Sequence, residues 1–525
     1  MSNTKDILIK LKDATINQAL PLNDLPVEDI KEAIKAEYSI SFGENSSEYD
    51  NLTQYCNRTA ATFTSISDAI TFLDTMINYS ASADNISSND IELPDNINPD
   101  EQYLTYLNLA EHYKNNNINQ YYLCIENAYY HCKEASVKDN LYNTLKDIKS
   151  SPLCTVKPVS IVIISYNNMY LTQKCIESLR SNLLSDSYEI IVVDNASTDG
   201  VTSWLEMQPD IKLIKSDVNL GFPKGCNVGI NASTPDNDIF LLNNDTRITP
   251  NALFWLRMGL YTHDTTGATG AVSNYTGTTQ LIDTLDIFYT SIDDYQRFGY
   301  LNNQIIDNPF EECTMLCGYA MLLKRSALNK TTLLSEELSP GYFDDDDICL
   351  QLKSLGYSLY VCHNSFIYHA GSQSFSKVNS NYLLEIMKKN RLFIYNKWHF
   401  DSICNRIGNK VYTTISPTDA CIKVLEINAH AGANYAHLKY ICPNISYIGI
   451  EGNTHYSNVD IKEAHIKYMN YLDFNYSDYN EYFDYIIFND TSDYSDNQKN
   501  EFLNLARTSL KKNGALLLCD KNTLN

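Results

Sequence analysis

The first part of the chain has the apolar pattern of helices. Apolar residues recur three or four positions apart, a spacing that places them on one face of a helix. A stretch rich in Asn, Ser and Asp from Tyr79 to Pro99 then indicates a linker. The helices predicted before the linker are Ile7–Leu20, Val27–Tyr38 and Ile66–Ile77.

Residues 101–135 resemble one tetratricopeptide-like helical hairpin. Because no second copy follows, a plain helical cap on the next domain is the alternative.

From Pro158 the pattern changes to short apolar runs that alternate with helical stretches. Val159–Ser165 is a continuous apolar run of the kind found in parallel sheets that are covered on both faces. This alternation predicts an α/β nucleotide-binding sheet, whose ligands lie beyond the carboxyl ends of the strands. Further strands are predicted at Ile190–Val193, Ile211–Lys215 and Ile239–Leu242. The polar clusters that follow strands are Ser165-Tyr166-Asn167, Asp194-Asn195 with Asp199, and Asn243-Asn244-Asp245.

A second strand and helix alternation begins near Cys421, after a connection over Tyr382–Tyr412 that has a helical pattern. The chain ends before the alternation has produced a full sheet of the nucleotide-binding kind. We therefore predict a helical region at 1–152, an α/β domain at 153–400, and a partial Rossmann-like domain at 415–525.

The net charge, the cysteine spacing and the lengths of the apolar runs argue against several classes of protein. A net charge of −24 argues against general binding to nucleic acid or anionic membranes, because both need a cationic surface. The 14 cysteines include no C-x-x-C pair, so neither a structural zinc site nor a disulfide framework is predicted. Since there is no signal-peptide pattern and no run of 18 apolar residues, we expect a cytoplasmic protein without a transmembrane segment.

A run of acidic residues, Asp344 to Asp347, opens a predicted short helix that ends near Gly356. Successive helical residues point about 100° apart, so the four carboxylates cannot share one pocket. Asp344 and Asp345 continue the apolar stripe of this helix, whereas Asp347 continues a polar face. A carboxylate on the inward side of a helix start is a candidate general base, and a solvated acidic cap favoured by the helix dipole is the alternative.

The strand-end clusters and the acid run occur within six segments that stand in a characteristic order. In that order, residues 157–395 resemble the family 2 glycosyltransferases, which have the GT-A fold. The resemblance implies transfer of a sugar from a nucleotide-diphosphate donor. The segments are PVSIVIISYNNMYLTQKCIESL, DNASTDG, NLGFPKGCNVGI, IFLLNNDT, CGYAMLLKRSAL and FDDDDICLQLKSLGY with the later YHAGS.

The resemblance implies a divalent cation, manganese or magnesium, that neutralises the diphosphate leaving group. Asp245 matches the family's metal-binding acid, and Asn243 stands where many members have a second aspartate. His369 matches a histidine that some members use as a further metal ligand. The residues that the resemblance implies around the nucleotide sugar are Ser165, Tyr166, Asn167, Asp194, Asn195, Asn219, Lys224, Asn227 and Asn244. Of these, Asp194 would bind the base and Lys224 the diphosphate, while Asn219 and Asn227 have the alternative role of shaping their loop.

The resemblance also narrows the acid run to one residue. Family members have an acidic pair before a hydrophobic helix, and the second acid of the pair deprotonates the acceptor hydroxyl. That acid is Asp345, with Asp344 as its neighbour. A single base acting opposite a diphosphate leaving group implies direct displacement with inversion at the anomeric carbon. We interpret Asp346 and Asp347 as a solvated cap without a catalytic role.

Beyond Cys421 the chain resembles the opening of a class I S-adenosylmethionine-dependent methyltransferase. The family's glycine-rich loop is altered here, with Asn428 and His430 at positions where glycine permits close approach of the cofactor and Gly432 at the third. We therefore expect an incomplete or degenerate domain and do not expect S-adenosylmethionine to bind.

The sequence thus predicts an inverting glycosyltransferase, with a UDP-linked sugar favoured as donor. The acceptor is a hydroxyl of a glycan or of a protein, and the helical N-terminal region favours a bacterial surface protein. The alternatives are a non-catalytic scaffold that binds a nucleotide sugar, and a methyltransferase with an accessory sugar domain.

Overall fold

The computed structural model describes residues 102–183, 187–282, 292–371 and 380–520, together with a scattered set between residues 11 and 76. The chain forms two compact units, Met1–Glu101 with Thr284–Arg297, and Gln102–Asp283 with Phe298–Asn525. In the first unit, Ile34, Leu52, Phe72, Leu73 and Met76 belong to a buried apolar cluster, and all five are helical. The predicted helix at Ile7–Leu20 and the linker at Tyr79–Pro99 lie largely or wholly outside the described residues.

The second unit begins with three helices, and the predicted hairpin is formed by the first two. These helices are α1 (Gln102–Tyr113), α2 (Ile118–His131) and α3 (Ala135–Ser150). The side-chain oxygen of Asn117 accepts hydrogen bonds from the amides of Asn119 and Gln120, and this caps the start of α2. Its amide group donates to the carbonyls of Tyr261 and Thr262, so the hairpin is bonded to the domain that follows it.

That domain contains a nine-stranded mixed sheet. Its strands are β1 (Val159–Ser165), β2 (Tyr188–Asp194), β3 (Ile211–Lys215), β4 (Asp238–Asn243), β5 (Thr246–Ile248), β6 (Thr266–Val272), β7 (Phe310–Cys313), β8 (Ala320–Leu323) and β9 (Ser358–His369). The strand order is β3-β2-β1-β4-β8-β6-β9-β5, with β7 paired to β9. Strands β1 to β4 are mutually parallel, while β8 runs antiparallel to β4. The mixed α/β fold predicted for this part of the chain is confirmed.

In the described part of the chain, eight helices alternate with or follow these strands, and Gly229 lets one of them lie close to the sheet. They are α4 (Met169–Asn182), α5 (Val201–Glu206), α6 (Phe222–Ala232), α7 (Ala252–Leu260), α8 (Ile292–Asn302), α9 (Arg325–Leu328), α10 (Asp344–Ser354) and α11 (Ser380–Trp398). A Cβ atom added at Gly229 of α6 would lie 2.4 Å from a methyl carbon of Val162. The glycine therefore allows α6 to pack directly on β1.

A second sheet follows helix α12 (Asn409–Thr414) and is parallel throughout. Its strands are β10 (Lys423–Ile427), β11 (Ser446–Glu451), β12 (Lys467–Tyr468), β13 (Phe483–Phe488) and β14 (Leu510–Leu518), in the order β12-β11-β10-β13-β14. Helices α13 (Ala433–Ile441) and α14 (Asp496–Ser509) accompany them. The resemblance of this part to a methyltransferase stays a prediction.

The second sheet is joined to the first through helix α13. His437 of α13 and His363 of β9 both bond to the buried carboxylate of Glu311 on β7, with nitrogen to oxygen distances of 2.9 and 2.6 Å. Within the described parts of the chain, no helix is both long enough and apolar enough to cross a bilayer.

Candidate active site

The predicted polar clusters meet at one edge of the first sheet. Strand β1 pairs with β2 and with β4 in parallel register, so that Ser165 lies beside Asp194 and Ile164 lies beside Asn243. The carboxyl ends of these three strands therefore point the same way, and the loops that follow them form one rim.

Asp245 and His369, which are far apart in the sequence, are brought together by strand pairing at this rim. Strand β5 pairs antiparallel with β9, which places Thr246 opposite His369. The amide of Ala370 also donates to the Asp245 carbonyl at 2.9 Å. As a result, the Asp245 Oδ1 atom lies 3.2 Å from the His369 Nε2 atom, and both side chains are largely buried.

The surroundings of His369 fix which ring nitrogen faces Asp245. Its Nδ1 atom donates to the carbonyl of Tyr275 at 2.7 Å, since a carbonyl can only accept. The ring is stacked on Tyr319, with centroids 5.0 Å apart and an interplanar angle of 16°. In the neutral imidazole, Nε2 then has its lone pair available, which is the arrangement usual for a histidine that binds a metal.

The Asp245 and His369 pair fits a divalent cation. A carboxylate oxygen and a neutral imidazole nitrogen are ligands that manganese accepts. Adjacent ligand atoms around an octahedral ion with bonds of about 2.1 Å are about 3 Å apart, close to the 3.2 Å observed here. The two residues would supply one edge of such a site.

Three residues predicted around the nucleotide sugar lie in loops that are joined by several hydrogen bonds. Asp194 is buried, and its carboxylate accepts from the Ser197 amide at 3.1 Å and from the Thr202 hydroxyl. Asn195 donates to the side-chain oxygen of Asn219 at 3.0 Å and accepts from the Leu220 amide at 2.9 Å. Asn195 and Asn219 thus hold the loop before α6 against the end of β2.

The polar residues after β1 divide into a buried group and an exposed one. Ser165 and Asn244 both bond to the hydroxyl of Thr172, at 3.1 and 3.0 Å, and all three are buried. Tyr166 is exposed at the rim. Asn167 accepts from the Thr198 amide at 2.8 Å, which joins the loop after β1 to the loop after β2.

Two further residues of the predicted donor site bond to the chain itself. Asn227 of α6 donates to the Leu334 carbonyl and accepts from its amide, at 2.9 and 3.1 Å. Lys224 forms an ion pair of 3.5 Å with Glu336, and both side chains are about half exposed. Asn227 therefore holds the segment that leads to helix α10, and the charge of Lys224 is partly offset by a carboxylate.

Asp345 is held in place by the loop before β8. Its Oδ2 atom accepts from the Gly318 amide at 3.0 Å. A Cβ atom at position 318 would lie 3.2 Å from the Asp345 Cβ, so glycine permits the close approach. The next residue, Tyr319, stacks on His369, and its carbonyl accepts from the Asn243 amide at 2.9 Å. One dipeptide therefore links Asp345 to the Asp245 and His369 pair.

Asp344 differs from its neighbour because it is buried. Burial, together with the negative charge of Asp345, raises the pKa of Asp344 well above the ordinary carboxyl range. Asp345 is partly exposed by comparison. The pair therefore has one carboxyl that resists ionisation and one that is partly exposed.

The interpretation of Asp346 and Asp347 as a solvated cap is wrong. Both are buried, with exposed fractions of 3% and 0%. Asp346 accepts from the Ser402 hydroxyl at 2.6 Å and lies 3.6 Å from Arg406. Burial raises the pKa of Asp346 to about 6, and the charge of Arg406 opposes that rise.

Asp347 has four partners, which come from three segments of the chain. Its carboxylate accepts from Ser335, Gln351, Lys397 and Trp398 at 2.7, 2.9, 2.8 and 2.9 Å. Lys397 and Trp398 belong to helix α11, which covers the face of α10 that the sequence pattern suggested was wet. The acid run thus anchors the connection after the first sheet, in addition to presenting Asp345.

Sequence reasoning missed the residue that holds the turn before the acid run. Tyr342 and Phe343 both have left-handed backbone, with φ of 72° and 70°. The fully buried Asn390 of α11 donates to the carbonyls of Leu338, Gly341 and Tyr342, at 2.8, 2.8 and 3.1 Å. An asparagine in a helical run gives no sign of this role, because its partners lie about 50 residues earlier.

Comparison with known families adds to this geometry. Residues 160–332 match the description of glycosyl transferase family 2. The match to a family 2 glycosyltransferase domain is confined to this part of the chain. No curated protein sequence matches the chain.

Several solved structures resemble this chain at low identity. One is the mannosyltransferase PcManGT from Pyrobaculum calidifontis in complex with GDP-Man and Mn2+, with 16% identity, coverage of 49% of this chain and 70% of that one, and a TM-score of 0.31. Another is GalNAc-T7 with UDP, GalNAc and Mn2+, with 12% identity, coverage of 41% and 44%, and a TM-score of 0.33. A third is residues 1–349 of S. aureus TarS, with 13% identity, coverage of 46% and 72%, and a TM-score of 0.31.

Residues 160–332, which match the family, contain only some of the residues predicted for the active site. This part includes the donor-site residues and Asp245, whereas Asp345 and His369 lie beyond residue 332. The structure brings these two outer residues to the matched part through the β5 and β9 pairing and through the bond to Gly318.

Proposed function

We propose that the chain transfers a sugar from a nucleotide-diphosphate sugar to an acceptor hydroxyl, with inversion at the anomeric carbon and on a GT-A fold. The proposal is supported above all by the convergence of Asp245, His369 and Asp345 through the Gly318-Tyr319 dipeptide. This arrangement combines a candidate cation site with a carboxylate that is partly exposed.

Asp345 is the proposed general base. It removes the proton of the acceptor hydroxyl as that oxygen attacks the anomeric carbon, and the nucleoside diphosphate leaves from the opposite side. The Gly318 amide donates to the Oδ2 atom of Asp345 and the Asp346 amide donates to its Oδ1 atom, both at 3.0 Å, and the remaining lone pairs of the carboxylate can receive the proton. Because its pKa is raised, Asp344 adds little negative charge beside the base.

Asp245 and His369 are the proposed ligands of manganese or magnesium. The cation, when bound, supplies positive charge that stabilises the diphosphate as it departs. The bond between His369 Nδ1 and the Tyr275 carbonyl fixes the ring in the orientation this role requires.

The proposed donor lies over the ends of β1, β2 and β4, with a UDP-linked sugar favoured by the resemblance noted in the sequence. Asp194 has both carboxylate oxygens engaged within its own turn, yet a carboxylate offers about four acceptor positions, so it can still receive an N–H group of a base. The proposed acceptor is a hydroxyl of a glycan or of a protein.

A panel of nucleotide sugars, incubated with the purified chain and manganese or magnesium, tests the proposal. We expect donor turnover for one class of sugar nucleotide, and loss of turnover when EDTA removes the cation. The Asp345→Asn variant should lower kcat by about 100-fold or more, the range for loss of a general base, while still binding the free nucleoside diphosphate. Glu337→Gln, an exposed acid on the segment before the same helix, is the matched control and should keep full turnover.

Two outcomes would count against this function. Wild-type kcat in the Asp345→Asn variant would remove Asp345 as the base. Binding of a nucleotide sugar without turnover of any donor, at any cation concentration, would favour the scaffold alternative.

A further inference from the structure

The second sheet has its own cluster of polar side chains, and it lies well apart in the sequence from the transferase site. His430 is on the loop after β10, and Asp490 is on the loop after β13. Strands β10 and β13 are parallel neighbours, so both loops leave the same carboxyl edge of the sheet. The His430 Nε2 atom lies 2.8 Å from the Asp490 Oδ2 atom.

A third group joins this pair from outside the second sheet. Cys404 lies in the short turn Ser402–Asn405 that connects helix α11 to helix α12. Its sulfur and one ligand atom each of His430 and Asp490 all lie within 4.8 Å of one another. Cys404 and His430 are buried, with exposed fractions of 7% and 8%.

We propose that Cys404, His430 and Asp490 form a zinc site that is distinct from the cation site of the transferase. A thiolate, an imidazole and a carboxylate together are ligands typical of zinc. Ligand atoms around a tetrahedral zinc ion, with bonds of about 2.0–2.3 Å, are about 3.3–3.8 Å apart. The three groups need to move by only about 1 Å or less to reach that spacing.

The backbone around the cluster is held in a conformation that is uncommon for residues other than glycine. His430 and Asp490 have left-handed backbone, with φ of 48° and 55°. The His430 amide donates to the buried Glu451 at 2.8 Å, and Asn428 donates to the Asn489 carbonyl at 2.9 Å. Strain of this kind, at about 1 kcal/mol or more for each residue, persists where the surrounding structure fixes it, and it is common at functional sites.

A cavity gives the site an open side. The three proposed ligands line a cavity of about 240 Å³, together with Lys410, Asn434 and Asn489. Three protein ligands with room for a fourth are typical of a zinc ion that binds water or a substrate oxygen. Zinc would displace the thiol proton of Cys404 to solvent and leave the fourth position toward the cavity.

The sequence concealed this site because its ligands do not form a short motif. Cys404 and His430 are 26 residues apart, and Asp490 follows 60 residues later. The only closely spaced cysteines, Cys313 and Cys317, are not part of it. The site exists because the connection after α11 packs against the edge of a sheet that forms from later strands.

Cobalt titration of the full chain, after removal of metal with EDTA, tests the proposal. Cobalt in a zinc site with one cysteine gives a thiolate-to-cobalt charge-transfer band in the near ultraviolet, and stoichiometric zinc should abolish that band. Cys404→Ser should lose the band and bind zinc at least about 100-fold more weakly, because even second-shell changes cost about 10–100-fold. Cys519→Ser is the matched control, since Cys519 is also buried and lines the same cavity.

A fold measurement and a second variant guard against loss of the band through misfolding. Near-ultraviolet circular dichroism of each metal-free variant verifies its fold, and Asp490→Asn provides a second variant that keeps the thiol and should shift and weaken the band. The proposal is overturned if the wild-type chain gives no thiolate band, or if Cys404→Ser keeps the band that Cys519→Ser loses.

Discussion

Near the carboxyl edge of the first sheet, Asp345 is partly exposed, whereas at the carboxyl edge of the second sheet several polar side chains bond to one another. Glu426 of the second sheet is buried and accepts from Tyr447, Asn434 and Asn489. Asn489 also donates to the carbonyl of Asn428 at 3.0 Å. These hydrogen bonds therefore fix the side chains of Asn434 and Asn489, which also line the cavity of the proposed zinc site.

An edge of parallel strands does not by itself distinguish the proposed transferase site from the edge of the second sheet. Both sheets place polar loops after their strands, as parallel sheets do. The first sheet adds a strand pair, β5 with β9, and a neighbouring helix, α10, which bring carboxylates that remain available to a ligand. In the second sheet, Asn428 and Asn489 of the loops after β10 and β13 instead donate to each other's carbonyls.

The largest expected effect comes from removing a carboxylate at the first edge. Asp245→Asn should lower sugar transfer by about 1,000-fold, because the charge stabilisation by a bound cation amounts to several kcal/mol. Asn428→Gly, at the second edge, should leave transfer unchanged. Initial rates at saturating manganese measure both.

The same pair of variants can break the comparison. Equal losses of transfer in both variants would mean that the second edge takes part in the reaction. The fold of Asn428→Gly should be retained within about 1 kcal/mol, because relief of its left-handed backbone offsets the two side-chain hydrogen bonds that are lost.

The next effect concerns the anchoring half of the acid run. Asp347→Asn replaces a fully buried carboxylate whose partners include the ammonium group of Lys397. Loss of this charge should lower the free energy of unfolding by about 3 kcal/mol, the low end of the range for breaking a buried ion pair. Urea unfolding measures it.

A matched acid shows whether burial is the cause of that loss. Glu337→Gln removes an exposed carboxylate nearby in the sequence and should change stability by less than about 0.5 kcal/mol. If the two variants were equally stable, the buried bonds of Asp347 would contribute nothing measurable.

Asp346 should make stability depend on pH. Its pKa of about 6 in the folded chain lies above the ordinary value near 4, so the folded chain binds the proton more tightly than the unfolded chain. The stability this provides is fully present below pH 4 and is lost as the pH rises through 6, by up to about 3 kcal/mol. Urea unfolding of wild type and Asp346→Asn at pH 4, 5, 6 and 7 isolates the contribution. A constant difference between them across that range would contradict the prediction.

The smallest effect on stability should come from Lys224. Its ion pair with Glu336 is long and half exposed, so Lys224→Gln should change the free energy of unfolding by less than about 0.5 kcal/mol. If Lys224 binds the donor diphosphate, KM for the donor should rise several-fold at unchanged stability. An unchanged KM would leave the lysine as a surface residue.

The sequence predicts strands β1 to β4 of the first sheet well, because β1, β2 and β4 each contain a short continuous apolar run. Val159–Ser165 is a strand with the predicted bounds, and so is Ile211–Lys215. The periodicity of α10 could not reveal how Asp346 and Asp347 are covered, since the pattern of a helix shows one buried face only. The second cover comes from residues 397–406, whose partners are distant in the sequence.

The two proposed cation ligands, Asp245 and His369, could be identified from the sequence only through the family resemblance. No local pattern relates Asp245 to His369, which are 124 residues apart, and a three-residue strand such as β5 has too little periodicity to be predicted. The proposed zinc ligands at Cys404, His430 and Asp490 form no local pattern and belong to no resemblance, so they could not be identified from the sequence.

The bonds between the helical hairpin and the first sheet have a consequence for shortening the chain. Arg257 of α7 is buried and forms its ion pair with Glu126 of α2, and Gln120 donates to the Met258 carbonyl at 3.0 Å. A truncation that begins at residue 153 would leave that guanidinium buried without its carboxylate, at a cost of about 3–5 kcal/mol. Recombinant expression of the transferase part alone should therefore start near residue 102, and a shorter version is expected to be insoluble.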